Sequence, residues 1–421
     1  MFDRKPSKIA SITSKDESKE LTDLQNDPRV GSSLPPLPIS IAKDTDTNSS
    51  ELPKPLIVND RIYQNTKKYM LPIDDQEQDK LVQEHFLYKF IFGNNFSAPV
   101  RDLLSGHYNE NPKRNSIGSS SCIIENISQP RILDIACGNG TWVLEMATEF
   151  PNSEFYGIDF SPGYPTTIKP ANTSFANHDV LSPNGFPFPE NYFDYVFMRQ
   201  VYTCFSESDW TFVVREIRRV VKPGGFVEFR DQDPILRRTG DMSSALFKKY
   251  PDLMREKHEV NVFWARHMYD CLHDIGEMTD MQLRVNELRF GNSGPIGEMV
   301  DTSLRSGFES HRRFFEETYN KRDYDQMVEE IVNESIVHHS FFNYYVCWGR
   351  KPLLDYDSSC SSDRKLSVST CSLPTRDEAG EKNDLNPSKL SIEWKDDSGD
   401  FTSLDADNVS DIGQFVEGFE D

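Results

Sequence analysis

Residues 132–142, ILDIACGNGTW, constrain this chain more than any other stretch. An apolar run ends on Asp134 and Ile135, a turn follows that carries Gly138 and Gly140, and an amphipathic segment opens directly behind it. That order is a buried strand, a tight turn and a helix N-terminus. Glycines there let the backbone pass close to a ligand, in space that a Cβ would occupy. The unpaired N–H groups of the helix start favour an anionic group such as a carboxylate. Nineteen residues after Gly140 a second strand-like run closes on Asp159 (YGIDFSP). An acid at that place can accept both hydroxyl protons of a ribose.

The other segments fit around this unit. Residues 60–92 have a helical apolar face with Leu81, His85, Tyr88 and Phe92 on it, and 94–104 read as a turn and a second helix capped by Ser97. A polar loop, 105–129, follows. From there strands alternate with helices, which implies a parallel sheet with crossover helices. Strands are expected at 131–135, 154–158, 173–179, 192–198 and 225–230, with a helix at 141–150. Ser208 or Asp209 is the expected cap of a further helix, whose Phe212, Val213, Ile217, Val220 and Val221 form one stripe. Lys222-Pro223-Gly224-Gly225 has the Pro-then-Gly order of a type II turn. Residues 242–277 read as one long helical region. Two strand-like runs, 281–290 and 341–348, are separated by 50 residues of helical pattern.

A dinucleotide-binding protein uses the same topology, and the glycine turn alone does not separate the two. Read from Gly138, however, the pattern places Val143 where the dinucleotide fingerprint wants Gly or Ala. Three later segments move the reading away from a dinucleotide. His178-Asp179-Val180 ends the third strand, where a carboxylate can take the amino group of adenine while Val180 supplies a backbone donor and an apolar wall. Residues 186–198 (FPFPENYFDYVFM) lead into the fourth strand, and 221–229 (VKPGGFVEF) form a turn and the fifth. An aspartate after a strand is by itself more often a helix cap; the weight lies in the order and spacing of all three.

Composition limits the rest. Hydrophobic residues make up 37% of the chain and mean hydropathy is −0.61, low for a chain folded throughout. The shortage lies in 1–56 and 355–421, polar stretches without an apolar period that are expected to be disordered tails. The expected division is therefore a tail at 1–56, a helical lead-in and loop at 57–130, a ligand-binding domain at 131–354 and an acidic tail at 355–421. That last tail has 17 acids against 6 bases, half of the net charge of −22. The remaining core is also acidic, which weighs against a nucleic-acid substrate. The seven cysteines are scattered, with no CxxC pair, which suits a reducing compartment and offers no zinc or disulfide framework. No apolar leader opens the sequence and no run approaches 18 apolar residues, so we expect a soluble protein of the cytoplasm or nucleus with no membrane contact.

Residues 132–233 resemble the class I S-adenosylmethionine-dependent methyltransferase domain, motif by motif. Residues 61–233 are similar to fungal methyltransferases of the LaeA type, regulators of secondary metabolism. The resemblance is carried by NNFSAPV (94–100), by 132–162 and by VVKPGGFVEFRDQD (220–233), with YMLPIDDQEQDKL (69–81) as a matching lead-in. It implies a Rossmann-like α/β fold: a seven-stranded, mostly parallel sheet, helices on both faces, the last two strands antiparallel, and a helical cover. It implies S-adenosylmethionine as cofactor. Asp134, Gly138 and Gly140 match the loop around the methionine moiety, Asp159 the ribose acid, and Asp179 with Val180 the adenine site. Phe160 belongs with the cofactor contacts, and Arg199 matches the wall beside the sulfonium. Ala136 departs from the family, which most often has glycine there, and adds a methyl group.

No catalytic residue can be named from the sequence. If the acceptor must lose a proton, His258, His267, Asp231 and Asp233 have suitable chemistry, while Phe263, Trp264 and Tyr269 could line an acceptor pocket or simply pack. The Asp/Asn-Pro-Pro-Tyr/Phe motif of amino-directed nucleic-acid methyltransferases and the CxxxCxxC of radical enzymes are missing. Small-molecule and protein acceptors both stay open. An alternative role is regulation through protein partners that engage the tails. Three features suit it: LPPLP at 34–38, the kinase-site-like Arg364-Lys-Leu-Ser367, and the aromatic-acidic end with Trp394, Phe401, Phe415 and Phe419.

Overall fold

A computed structural model describes residues 55–65, 69–106, 129–292, 294–316 and 320–353. The features noted in both tails, and most of the 105–129 loop, lie outside the described residues. The described chain opens on a hairpin, β1 (Leu56–Val58) paired antiparallel with β2 (Arg61–Tyr63). Asn59 and Asp60 between them both have positive φ, +50 and +62, the demand of a two-residue type I′ turn that Asn and Asp meet most readily. Helix α1 therefore spans Asp75–Phe92 rather than 60–92. Asp74 caps it, accepting from the Glu77 N–H, and Gly93 ends it in the left-handed conformation. Asp74 also takes both ends of the Arg61 guanidinium, at 2.7 and 2.9 Å, which fixes the hairpin on the helix start.

The single turn α2 (Arg101–Leu104) has Val100 at its N-cap position and no side-chain cap, so Ser97 is not the cap expected. Seven strands then build one sheet: β3 (Arg131–Ile135), β4 (Glu154–Asp159), β5 (Thr173–Asn177), β6 (Phe193–Arg199), β7 (Val221–Arg237), β8 (Thr279–Arg289) and β9 (Phe341–Arg350). Their order is β5-β4-β3-β6-β7-β9-β8, parallel from β5 to β7 and antiparallel at β7·β9 and β9·β8. This is the class I sheet expected from the sequence. The chain reverses direction across the sheet between β3 and β6, and ligands of open α/β sheets lie at the carboxyl end of such a switch.

Helix α3 (Thr141–Glu149) follows β3 and buries Trp142, Val143 and Met146, with Trp142 stacked on Phe197 of β6 at 4.1 Å. Helix α4 (Glu207–Val220) is capped by Ser206, which forms a reciprocal capping box with Asp209. The expected cap at 208 or 209 was therefore two or three residues late. Gly224 has φ +78, the value a Pro-Gly turn calls for, but it lies within β7, which begins at Val221 rather than at 225. The region 242–277 is not one helix. Helix α5 (Asp241–His258) stops at Glu259, φ +60, and 262–275 continue as short turns of helix around the fully buried Val262 and Met268. Helices α6 (Gly294–Ser310), α7 (Arg312–Glu316) and α8 (Lys321–Val337) join β8 to β9. With α1 and α5 they share an apolar cluster that includes Leu87, Tyr250, Phe308, Tyr324 and Tyr344.

Two imidazoles are enclosed in this cover. His85 is fully buried against Glu145, and His311 donates from Nδ1 to the Gly307 carbonyl at 2.8 Å. Burial lowers both pKa values from 6.5 to about 4. Between those values the unfolded chain binds more protons, so the stability from a neutral buried His is complete above 6.5 and lost as pH falls toward 4. Asp134 and Asp231, raised by burial to about 8 and about 7, act in the opposite direction. The check must therefore be a difference. Relative to His311→Gln, the wild type should lose on the order of 2 kcal/mol between pH 7 and pH 5 in urea unfolding. A difference independent of pH would contradict a buried neutral imidazole.

Candidate active site

The turn after β3 is built by three left-handed residues, Ala136 (φ +55), Gly138 (φ +58) and Gly140 (φ +75). Cys137 donates its N–H to the Ile158 carbonyl and accepts from the Gly140 N–H, which folds the loop back over the sheet edge. The two glycines serve different ends. Gly138 faces an open cleft, and a Cβ there would stand 3.4 Å from Leu81. Gly140 does not line the cleft; a Cβ would sit 2.7 Å from the Phe175 ring, so the position is reserved for packing at the α3 start. Ala136 is the residue with the unusual cost. The sequence suggests only added bulk there, but the backbone is left-handed, which penalises any residue with a Cβ. Ala136→Gly should raise unfolding free energy by up to about 1 kcal/mol, the left-handed penalty less the extra chain entropy of glycine. Denaturant unfolding measures it, and a destabilised variant would overturn the reading.

Asp159 ends β4 and holds the turn. Its Oδ2 accepts from the Gly138 N–H at 2.8 Å and its Oδ1 from the Ser161 N–H at 2.7 Å. Each carboxylate oxygen keeps a further lone pair for a ligand. Burial raises its pKa, and the two backbone hydrogen bonds oppose the shift. Asp134 lies deeper, 2% exposed, with Oδ1 unbonded among the described residues. Burial pushes its pKa to about 8, with Arg199 opposing and the Asp159 charge adding. The Arg199 guanidinium is itself lowered by burial and supported chiefly by Asp134. A buried carboxyl oxygen left unbonded in this way is an opening for a donor group from outside the chain.

One cleft, with about 1170 Å³ of space including its open mouth, gathers the predicted residues at the sheet's carboxyl end. Asp134, Ala136, Gly138, Asp159, Phe160, Asp179, Val180 and Arg199 all line it; of the nine expected, Gly140 alone stands behind the wall. Asp179 Oδ1 accepts from the Leu181 N–H at 2.9 Å, Val180 is buried, and Phe160 is 41% exposed at the rim. His178 also lines the cleft, and its Nε2 is buried and unbonded.

The opposite wall was not recognised in the sequence. It consists of Tyr69, Pro72, Ile73, Glu77, Gln78 and Leu81 from the lead-in, and Gln200, Val201, Cys204 and Phe205 beyond β6. Asn139 in the glycine turn donates from Nδ2 to the Gln78 carbonyl at 3.2 Å, so the start of α1 crosses directly above the turn. The only hint was that 69–81 belongs to the resembling segment; a local pattern carries no record of a contact 61 residues away.

None of the proton-transfer candidates lines this cleft. Asp231 is fully buried and accepts from Trp264 Nε1 at 2.9 Å and from the Val201 and Gln232 N–H groups, bracing the segment after β6. Asp233 is held by Arg237 and Arg266. Trp264 stacks on Trp210 at 3.5 Å, and Phe263 lies under Arg266. His258 packs near Phe314, while His267 and Tyr269 sit elsewhere in the cover. Asp231 and Asp233 stand on β7, and the others belong to the cover.

The family model described as a methyltransferase domain matches residues 132–225, the stretch from β3 through the glycine turn to the start of β7. Residues 132–225 are thus similar to a methyltransferase domain. The class I fold and S-adenosylmethionine as cofactor, both expected from the sequence, agree with this match. Several fungal proteins are also similar to the chain. A methyltransferase of Strobilurus tenacellus, str3, is 28% identical over 38% of this chain and 58% of its own. The secondary metabolism regulator laeA of Coprinopsis cinerea is 27% identical over 41% and 38% respectively. The N-methyltransferase sirN of Leptosphaeria maculans is 23% identical over 68% of this chain and 96% of its own. The aligned part of the chain thus spans about half the length of the first two relatives. Among solved structures, a phosphoethanolamine N-methyltransferase of Haemonchus contortus is 20% identical, with a TM-score of 0.36, over 68% of this chain and 61% of that one. No described helix is long and apolar enough to cross a membrane.

Proposed function

We propose that this chain transfers the methyl group of S-adenosylmethionine to an acceptor, with residues 131–354 as the catalytic domain and the lead-in closing its cleft. The observation that carries the reading is the Asp159 carboxylate, held at the end of β4 by the Gly138 and Ser161 N–H groups and lining the cleft. The donor set suits the cofactor. Asp134 offers an unbonded carboxyl oxygen to an amino group, Asp159 two acceptors to ribose hydroxyls, and Asp179, Val180 and His178 polar and apolar contacts to a heterocycle. Gly138 leaves the space a Cβ would fill, Ala136 and Gly140 shape the turn, and Phe160 and Arg199 complete the walls.

When bound, the cofactor supplies a sulfonium that already activates the methyl group. The chain's part is to place the acceptor in line with it and keep water out, which can contribute roughly 7–11 kcal/mol. Calorimetry of the full chain with S-adenosylhomocysteine tests the reading. Micromolar binding is expected, and no binding, or binding of a nicotinamide dinucleotide instead, would sink it.

A regulatory role is a second reading, favoured by the relatives named secondary metabolism regulators. In that case the domain binds the cofactor and acts through protein partners. Supplying the protein with radiolabelled cofactor and cell extract separates the two. Label transferred to any small molecule or protein supports the enzyme; binding without consumption supports the regulator.

A further inference from the structure

Strand β8 closes one side of the sheet, and among the described residues only β9 pairs with it. Its start is protected by a bulge between Thr279 and Gln282, with Asp280 at φ +53. From Gln282 to Arg289 it runs regularly against β9. Its other edge therefore presents backbone N–H and C=O groups with no ladder partner among the described residues. The side chains there do little to shield it. Leu283 is 42% exposed and Val285 is half-buried, and both stand on the sheet face of Cys347 and Tyr345, their partners on β9. A long edge with apolar side chains is a template for another strand.

Arg284, between those two residues, narrows what can fill the edge. It is exposed, and its Nη2 donates to the Phe92 carbonyl at 3.3 Å. No carboxylate pairs with it among the described residues. The charges that act on it are Arg230 and Glu228, and Glu228 is already paired with Arg230 at 2.7 Å. A fitting strand carries an acid opposite Arg284 and apolar residues opposite Leu283 and Val285.

The chain itself contains such a segment. Residues 389–394, KLSIEW, alternate polar with apolar and put Leu390, Ile392 and Trp394 on one face. They lie outside the described residues. Setting Glu393 opposite Arg284 places Ile392 and Trp394 opposite Leu283 and Val285 whichever way the segment runs, because the two apolar residues flank the acid on either side. Residues 365–370, KLSVST, alternate as well but offer only Ser367 between their apolar pair. The route is also short. Strand β9 ends at Arg350, which pairs with Thr279 at the start of β8. The stretch from 354 to 388 has only to cross roughly 10 Å, two inter-strand spacings, to reach the free edge.

We propose that residues 389–394 dock on the free edge of β8 as a further strand of the sheet, with Glu393 paired to Arg284 and the apolar face continued by Ile392 and Trp394. The acidic tail is then fastened to the domain by its middle. An edge that would recruit foreign strands is covered by the chain's own.

Hydrogen–deuterium exchange of the full chain tests this, since the outward N–H groups of β8 exchange slowly only when bonded. Peptides covering 282–289 and 388–395 should both be protected. Ile392→Asp together with Trp394→Asp should speed exchange in both by about tenfold or more, with 132–142 unchanged. Glu393→Arg should speed it by roughly two- to fivefold, the range of a cross-strand ion pair, and adding Arg284→Glu should recover part of that loss. The first variant and Glu393→Arg alter only the tail, so the core of the domain stays intact in both. Fast exchange at 388–395 in the wild type overturns the proposal, and so does a reversed charge pair that recovers nothing. Protection of 282–289 that the tail variants leave unchanged overturns it as well, the result expected if a second copy of the chain or another protein covers the edge.

Discussion

Asp159→Ala should weaken S-adenosylhomocysteine binding by tenfold to about a hundredfold, the range expected when hydrogen bonds to a charged group worth roughly 1.5–3 kcal/mol are lost. Two losses combine. The ligand loses the carboxylate proposed to accept its ribose hydroxyls, and the glycine turn loses its anchor at the Gly138 and Ser161 N–H groups. Asp159→Asn separates them, since its amide oxygen can still accept from one backbone group. If both losses matter, Asn should fall between wild type and Ala in calorimetry, and proteolysis should cut the loop faster in Ala than in Asn. Affinity unchanged in Ala would remove Asp159 from the site.

The largest expected effect on stability lies elsewhere. Glu228→Gln should lower unfolding free energy by about 3–5 kcal/mol, the cost of leaving one member of a buried ion pair uncompensated. Glu228 is fully buried, and its partner Arg230 is 2% exposed, with Nε to Oε1 at 2.7 Å. The remaining capacity of the carboxylate goes to the Ala98 N–H at 2.7 Å, the Ser97 N–H and Tyr195 Oη. Arg230 donates to the Asn94 carbonyl and to Ser97 Oγ. A neutral amide would set its NH2 group against N–H donors and leave the guanidinium without its counter-charge. As a control, Glu329→Gln breaks the exposed pair with Arg305 and should cost less than about 1 kcal/mol. Equal effects in urea unfolding would overturn the distinction.

These residues show how much could be read in advance. The strands from β3 to β7 and their glycine turn were legible because each buried run is short, apolar and bounded by turn residues. The cofactor-side positions followed from them, since strand ends fix where Asp159 and Arg199 stand, while β5 stops at Asn177 rather than at 179 and leaves Asp179 in the loop behind it. The turn at Asn59 and Asp60 was overlooked because three-residue strands carry no period to count. Ser206 lost to its neighbours because Ser208 and Asp209 are equally good caps locally; only Asp209 at the third helical position identifies the box. Ser97 was misread for a deeper reason. Its N–H and hydroxyl bind residues more than 130 positions away, and no local pattern encodes that. The same holds for Tyr69, Gln78 and Gln200 in the cleft wall.

The way Glu228 holds the lead-in has a bearing on how such chains can diverge. It grips the backbone at 97 and 98 rather than their side chains. Proline is therefore excluded at both positions, because it has no N–H to give, while the Ser97 hydroxyl on Arg230 and the burial of Ala98 add limits of their own. Positions 228 and 230 are tied more tightly still, and a viable change at one requires a matched change at the other. Sequences that keep this architecture should accordingly lack proline at 97 and 98 and inherit 228 and 230 as a pair.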